Sequence, residues 1–89
     1  SSRRVSFGTV PDFTYSGAGV RLDDISAGTP AERAGLRKGD IITVVNDTPV
    51  NDLRGYSNVL KKLAPGDEIR VTFLRDGTEK TLSTHVTER

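Results

Sequence analysis

A short segment in the first half of the chain limits the fold strongly, because it starts and stops a helix within seven residues. Thr29 is a suitable N-cap, Pro30 suits the first helical position, and Glu32 completes a capping box. Gly35 follows as a C-terminal cap, and Leu36 can fold back onto it. The helix is therefore predicted to be short, so that other elements must supply most of the core.

The rest of the chain consists of short strand-like runs separated by turn residues, with one longer helix. Strands are predicted over 5–10, 20–25, 41–46, 68–75 and 78–86. Asp76-Gly77 is a strong hairpin turn between the last two. The longer helix is predicted to begin at a cap, Asn51 or Asp52, and to end near Leu63. We therefore predict an α+β domain, a small and partly open β-barrel or sandwich of five to six mostly antiparallel strands with one short and one longer helix.

Two irregularities are expected in the first half of the chain. Pro11 has no backbone N–H, so its strand is predicted to lie at a sheet edge or to be bulged there. The apolar residues Leu22 and Ile25 are three apart, which breaks strand alternation and also predicts a bulge.

Composition excludes several kinds of function. The 89 residues allow one small domain, and a net charge of +1 gives no electrostatic reason to expect nucleic acid or an anionic membrane as partner. With no cysteine and one histidine, His85, the chain cannot use thiolate chemistry, a cysteine zinc site or a multi-histidine metal site. We expect no catalytic centre, no metal and no cofactor. No apolar run reaches the ~20 residues of a membrane helix.

Residues 28–42, GTPAERAGLRKGDII, resemble the PDZ family pattern G-[ST]-P-A-x-x-A-G-L-x-x-G-D-x-I. The resemblance continues through residues 49–50, 65–67 and 71–77, and it covers nearly the whole chain from about Val5 to Val86. The strand order is similar to the circularly permuted form of bacterial proteases. Residues 7–13 and 19–22 are most similar to PDZ domains appended to secreted zinc aminopeptidases. We expect a flexible N-terminal extension over 1–4, the domain over 5–86 and a C-terminal tail over 87–89, cut from a longer protein.

The resemblance implies a non-catalytic module that captures a peptide C-terminus, or an extended segment, by β-augmentation. In a larger peptidase, a zinc aminopeptidase or another protease, it would serve substrate selection or regulation. The implied carboxylate-binding loop consists of Ser6, Phe7, Gly8 and Thr9. The implied groove consists of Val10, Pro11, Leu53, Ser57 and Leu60, while Tyr56, Val59 and Leu63 would face the core. Arg3 or Arg4 would assist the carboxylate, and an apolar C-terminal ligand residue is expected. The resemblance also implies a periplasmic or extracellular location.

Two departures from the family pattern support an alternative. Thr9 replaces an apolar residue, and Pro11 removes a ligand-binding N–H, a loss of about 0.5–1.5 kcal/mol. The groove could therefore be degenerate and pack against the parent's catalytic domain, or be covered by residues 16–19. Phe7, Leu53 and Leu60 are equally compatible with ordinary core packing. Ser57 fits a solvated helix position, and the two N-terminal arginines fit a disordered terminus.

Overall fold

The computed structural model describes residues 5–88, which form eight strands and two helices. In chain order these are β1 (Val5–Ser6), β2 (Thr9–Pro11), β3 (Val20–Ile25), α1 (Pro30–Ala34), β4 (Ile41–Val45), β5 (Thr48–Pro49), α2 (Leu53–Lys61), β6 (Glu68–Arg75), β7 (Thr78–His85) and β8 (Thr87–Glu88). The predicted α+β class, with one short and one longer helix, is confirmed.

The strands form one large open sheet and one small one. The large sheet has the order β2-β3-β4-β6-β7, with β5 added on β4, and each pairing in the described chain is antiparallel. The sheet does not close into a barrel, so β2 and β7 are its two edge strands. The small sheet pairs β1 with β8, in the register Val5 with Glu88 and Ser6 with Thr87. A C-terminal tail was expected over 87–89, and the structure places strand β8 (Thr87–Glu88) within it.

Helix α1 has the caps that its sequence predicts. The Thr29 hydroxyl oxygen accepts from the Glu32 N–H at 3.4 Å, and the Glu32 carboxylate accepts from the Gly28 N–H at 2.8 Å. At the other end Gly35 has a φ of 102°, a left-handed conformation that favours glycine. The Leu36 N–H returns to the Ala31 carbonyl at 3.1 Å. These local bonds explain why the helix spans only five residues.

Helix α2 begins at the predicted cap and ends earlier than predicted. The Asp52 carboxylate accepts from the Gly55 N–H at 2.9 Å. The last α-helical residue is Lys61, because the N–H groups of Lys62 and Leu63 bond carbonyls only three residues back. Tyr56 and Leu60 are the buried residues of the helix.

The predicted irregularity of β2 and β3 is also present. Val10 pairs with Asp24 and Pro11 with Leu22, so Asp23 is the extra residue of a bulge. Pro11 lies on an edge strand, where its missing N–H costs the sheet no hydrogen bond.

The core lies between the sheets and the helices. Its apolar members come from almost every element, and among the most deeply buried are Phe7, Leu22, Ile42, Tyr56, Leu60, Ile69 and Val71. Among residues 5–88, one charged residue is buried with them: Asp40, which is 1% exposed. Its carboxylate accepts from Arg75 Nε at 2.9 Å and from Arg75 Nη2 at 2.7 Å, a bidentate pair that joins the turn before β4 to β6.

Candidate functional site

The outer edge of β2 carries unused backbone groups. On its inner side, the Ser26 N–H donates to the Gly8 carbonyl at 2.8 Å, and the Asp12 N–H donates to the Arg21 carbonyl at 2.9 Å. Because hydrogen-bonding direction alternates along an antiparallel pair, these bonds turn the backbone of Thr9 and Pro11 away from β3. The outer edge therefore presents the Thr9 N–H, the Thr9 carbonyl and the Pro11 carbonyl, and none of them has a partner strand within residues 5–88.

The loop before β2 turns its amide groups in the same outward direction. The Phe7 carbonyl accepts from the Ala31 N–H at 2.9 Å, and the Gly8 carbonyl accepts from Ser26. In a trans peptide the N–H points opposite to the carbonyl of the same unit, and the described chain has no cis peptide. The N–H groups of Gly8 and Thr9 consequently point away from α1 and β3. Two adjacent outward N–H groups are suited to binding an anion.

Helix α2 faces this edge across a cavity of about 170 Å³. The cavity is lined by Thr9, Pro11, Phe13, Leu53, Tyr56 and Ser57. Deep in the groove, the Thr9 hydroxyl and the Tyr56 hydroxyl are hydrogen-bonded at 2.6 Å, so β2 and α2 are joined directly. The volume is suited to one medium-sized side chain in an extended segment.

The mouth of the cavity is apolar. Phe13 is 77% exposed and Leu53 is 36% exposed, and both side chains line the cavity together with the Pro11 ring. Hydroxyl groups of Thr9, Tyr56 and Ser57 supply the polar part of the lining. The lining therefore combines exposed apolar side chains with hydroxyl-bearing residues.

A second cavity, of about 190 Å³, adjoins the first and shares Pro11 and Leu53 with it. One ion pair is already formed in its lining, between Asp12 and Arg21 at 2.7 Å. Hydrogen bonds from the Thr14 hydroxyl and the Thr14 N–H, with a further contribution from Arg21, hold the pKa of Asp12 below its ordinary value. One side of this cavity is therefore formed by a paired acidic and basic side chain.

The structure brings together only part of the predicted site. Thr9, Pro11, Leu53 and Ser57 line one cavity, as the proposed groove requires. Ser6 pairs with β8 in the small sheet, and Val10 is exposed but does not belong to the cavity lining. Arg3 and Arg4 lie outside the described residues.

Two predicted site residues belong to the core instead. Phe7 is 1% exposed and Leu60 is 0% exposed, and neither lines the cavity. Tyr56, which was expected to face only the core, is buried and also lines the groove through its hydroxyl. Helix α2 therefore presents Leu53 and Ser57 to the groove as predicted, with Tyr56 beside them and Leu60 packed beneath.

Besides Tyr56, the cavity-lining residue that the sequence analysis did not name as a groove residue is Phe13. It follows Pro11 and Asp12, where turn signals obscure any strand pattern. An aromatic residue placed directly after an edge strand was the available signal, because a large apolar side chain at such a position has little core to enter.

Comparisons with known proteins decide the family. A family model described as PDZ domain matches residues 6–86. The chain belongs to the PDZ family. A probable periplasmic serine endoprotease, DegP-like, of Rhizobium meliloti (strain 1021) is 34% identical over 68 residues, which are 76% of this chain and 14% of that protein.

Solved structures support the same PDZ fold. The HtrA-type protease AlgW with a decapeptide superposes with a TM-score of 0.86 at 25% identity, covering 98% of this chain and 30% of AlgW. An aminopeptidase N family protein from Idiomarina loihiensis has a TM-score of 0.85 at 24% identity, covering 97% of this chain and 14% of that protein, a likeness of fold alone.

This PDZ domain spans less than a fifth of the length of the curated relatives that it matches. Those relatives are proteases, mainly serine proteases, so the comparisons support a protease-associated domain and do not single out zinc aminopeptidases. The structure shows no helix within residues 5–88 that is long and apolar enough to cross a membrane.

Proposed function

We propose that this PDZ domain captures the C-terminal end of an extended peptide in the groove between β2 and α2. The observation that carries the proposal is the outward edge of β2, which faces α2 across the 170 Å³ cavity. A peptide antiparallel to β2 pairs with the Thr9 and Pro11 backbone, which is β-augmentation of an edge strand.

The carboxylate of the peptide binds the N–H groups of Gly8 and Thr9. Both groups point outward because their preceding carbonyls bond to α1 and to the end of β3. Alternate ligand side chains then point toward α2, where the cavity accepts one of them against Phe13 and Leu53. The apolar mouth favours an apolar ligand side chain at that position.

A matched pair of helix variants tests the groove. Ser57→Trp places a large ring in the cavity, whereas Asn58→Trp, one residue further along α2, places it on the exposed surface. Binding is measured by NMR titration with acetylated peptides that end in Val-Ala-Val with a free carboxylate. We expect Ser57→Trp to weaken binding more than tenfold and Asn58→Trp to leave it nearly unchanged. Equal affinities for the two variants would contradict the groove assignment.

Amidation of the same peptide tests the carboxylate contact. Loss of the charge removes a charge-assisted hydrogen bond to the Gly8 and Thr9 amides, so the shifts of these amides should largely vanish. Substitution of Gly8 is unsuitable for this purpose. Gly8 has a φ of 105°, and a Cβ there would overlap the Thr29 side chain, so any variant disturbs the fold itself.

A second candidate function is docking onto the parent protease. The exposed apolar side chains of Phe13 and Leu53 line the groove and could contact a catalytic domain. In that case the isolated domain binds no C-terminal peptide, and Phe13→Ser weakens its association with the separately expressed remainder of the protease. Saturable peptide binding that depends on the free carboxylate favours the first candidate.

For the whole protein, we propose a protease in which this domain selects substrates or regulates access to the catalytic centre. Relatives named as periplasmic serine endoproteases support a periplasmic or extracellular location. Expression of the full-length protein with a reporter fusion, followed by fractionation, tests that location.

A further inference from the structure

A third cavity, of about 170 Å³, lies where the turn between α1 and β4 meets the β6–β7 hairpin. It shares no lining residue with either of the two cavities beside β2. We call it the corner cavity, and it is lined by Arg37, Lys38, Gly39, Asp40, Arg75 and Asp76. Three of these side chains are basic and two are acidic, so the lining has one net positive charge.

The guanidinium of Arg75 is a fixed part of this lining. Its Nε and Nη2 groups donate to the Asp40 carboxylate, and Nη2 also donates to the Gly35 carbonyl at 2.9 Å. The guanidinium carbon lies 5.2 Å from the centre of the Phe73 ring. Within residues 5–88, Nη1 has no hydrogen-bond partner, whereas every buried side-chain nitrogen or oxygen has one. Nη1 is therefore accessible to solvent and is a pre-positioned donor for an anion.

The acidic residues of the lining leave the basic groups available. Both carboxylate oxygens of Asp40 are engaged, Oδ1 by Arg75 and Oδ2 by Arg75 and the Arg37 N–H. The exposed side chains of Arg37, Lys38 and Asp76 form no ion pair within the described chain. A carboxylate that enters the cavity is thus offered the Arg37 guanidinium, the Lys38 ammonium and Nη1 of Arg75.

We infer that the corner cavity binds an acidic side chain, Asp or Glu, from a neighbouring segment of the parent protease. Its charge is complementary to a carboxylate, and guanidinium groups form strong charge-assisted hydrogen bonds to carboxylates. Exposed ion pairs are weak, so a free ligand would seldom occupy the cavity, whereas a segment of the same chain has a high effective concentration. In the curated relatives more than four fifths of the chain lies outside the matched region, which supplies such neighbours.

This contact leaves the peptide groove open, because the groove lies between β2 and α2 and shares no lining residue with the corner cavity. A parent protease can therefore hold the domain at the corner cavity while a peptide occupies the groove. The inference does not depend on the proposed capture of a peptide.

NMR titration of the isolated domain at low ionic strength tests the cavity. The probe is acetyl-Ser-Asp-Glu-Asp-Ser-amide, whose amidated end does not fit the carboxylate loop. We expect saturable shifts at the Gly39 amide and at Nε–H of Arg75, and none with the neutral peptide acetyl-Ser-Asn-Gln-Asn-Ser-amide. Absence of shifts at both groups with the acidic peptide would overturn the inference.

A matched pair of arginine variants separates the cavity from net charge. Arg37→Gln should weaken binding of the acidic peptide about three- to fivefold. Arg54→Gln removes the same charge from an exposed position on α2 and should leave the affinity nearly unchanged. Equal losses for the two variants would show attraction by net charge alone and would overturn the inference.

Asp76→Asn should change the affinity in the opposite direction. Asp76 has a φ of 52°, a left-handed conformation that asparagine tolerates, so the hairpin turn is retained. Loss of its negative charge should tighten binding of the acidic peptide about two- to threefold. Asp47→Asn is the control, because Asp47 is a turn residue with a φ of 66° that does not line the cavity. Equal affinities for the two variants would contradict binding in the corner cavity.

The identity of the partner is tested with the separately expressed remainder of the protease. We expect it to shift Gly39 and Arg75, and about 0.5 M NaCl or the Arg37→Gln substitution should abolish these shifts. Shifts confined to Thr9 and Phe13 would overturn the inference in favour of docking through the groove, and so would no shift at all. Failure of the isolated domain to capture C-terminal peptides would overturn the proposed function and leave this inference intact.

Discussion

The two edge strands of the large sheet differ in length, in polarity and in what lies beside them. β7 has eight residues, and its first four side chains, which include Glu79 and Lys80, are all exposed. β2 has three residues, and it is followed by the exposed aromatic ring of Phe13. Charged side chains on an edge strand discourage pairing with another chain.

The difference indicates that only one edge is suited to accept a partner. The long edge of β7 carries exposed polar and charged side chains, which discourage pairing with another chain and therefore aggregation. On β2 the edge is left apolar and lies beside a cavity, but it is so short that it can pair with very little backbone. The same shortness limits aggregation through this edge.

The largest expected effect is a loss of stability near β7, and it tests whether peptide binding at β2 is independent of that edge. Arg75→Ala leaves the buried Asp40 carboxylate without its bidentate partner, so we expect the free energy of unfolding to fall by about 3 kcal/mol. Because Arg75 lies at the β6–β7 hairpin, peptide affinity at β2 should not change in the molecules that remain folded. Urea denaturation and peptide titration measure the two quantities.

Arg70→Ala is the control for that prediction, because Arg70 is paired with the exposed Asp47. Its effect on stability should stay below about 1 kcal/mol. Similar losses for the two variants would show that burial of the Asp40–Arg75 pair has no special role.

A smaller effect is expected where β2 meets α2. Tyr56→Phe removes the hydroxyl that bonds Thr9, and we expect a loss of about 1 kcal/mol in urea denaturation. Tyr15→Phe is the matched control, because its hydroxyl makes an exposed bond to the Ala18 carbonyl at 3.2 Å. It should cost less than about 0.5 kcal/mol. If both variants had the same stability as the parent, the Thr9–Tyr56 bond would not hold the groove together.

The protection of β7 can be weakened without affecting the core. Lys80→Val should change the free energy of unfolding by no more than about 0.5 kcal/mol, yet it should promote self-association, because a charged edge position becomes β-branched. Sedimentation velocity over a concentration series measures the association. Lys38→Val, which removes the same charge in an exposed turn, should remain monomeric. If both variants self-associate, the cause is the lost positive charge and not the position of Lys80 on β7.

The smallest expected effect is on the pH dependence of stability, through Asp12. The pKa of Asp12 is lowered from its ordinary value of 3.8, first by the hydrogen bonds from Thr14 and then by Arg21. A lowered folded pKa contributes stability above the unfolded pKa, and this contribution is lost as pH falls through the folded value. Asp12→Asn should therefore reduce the dependence of stability on pH between about 5 and 2, relative to the parent. An unchanged pH profile would contradict the role of Asp12 in holding the turn after β2.

The parts of the fold that local chemistry determines could be predicted from sequence. The caps of α1 at Thr29 and Gly35, the Asp52 cap of α2 and the irregularity between Leu22 and Ile25 all depend on neighbours within a few residues. Such signals are present in the sequence itself, which is why the two helices and the longer strands were predicted in the right order. The two-residue strands β5 and β8, and the division of 5–10 into β1 and β2, were not predicted.

The groove could be predicted only in part, because it depends on how α2 is rotated against the sheet. The helix has a wide apolar face, so spacing alone does not distinguish Tyr56 from Leu60 as the residue beside β2. That choice is made by packing: Leu60 is fully buried, and the larger Tyr56 reaches Thr9 with its hydroxyl. Phe13 was missed for a similar reason, since its exposure beside the groove is a property of the assembled fold.

The Phe7 carbonyl accepts from the Ala31 N–H in α1, and the Gly8 carbonyl accepts from the Ser26 N–H directly after β3. An anion bound at the Gly8 N–H would polarise that peptide unit and so strengthen the bond that its carbonyl accepts from Ala31. Ligand binding in the groove would then slow amide hydrogen exchange at Ala31 and Ser26. Both residues lie on the side of the loop away from the ligand. In a multidomain protease, a neighbour that contacts α1 could sense through this rigidity whether a chain end is bound.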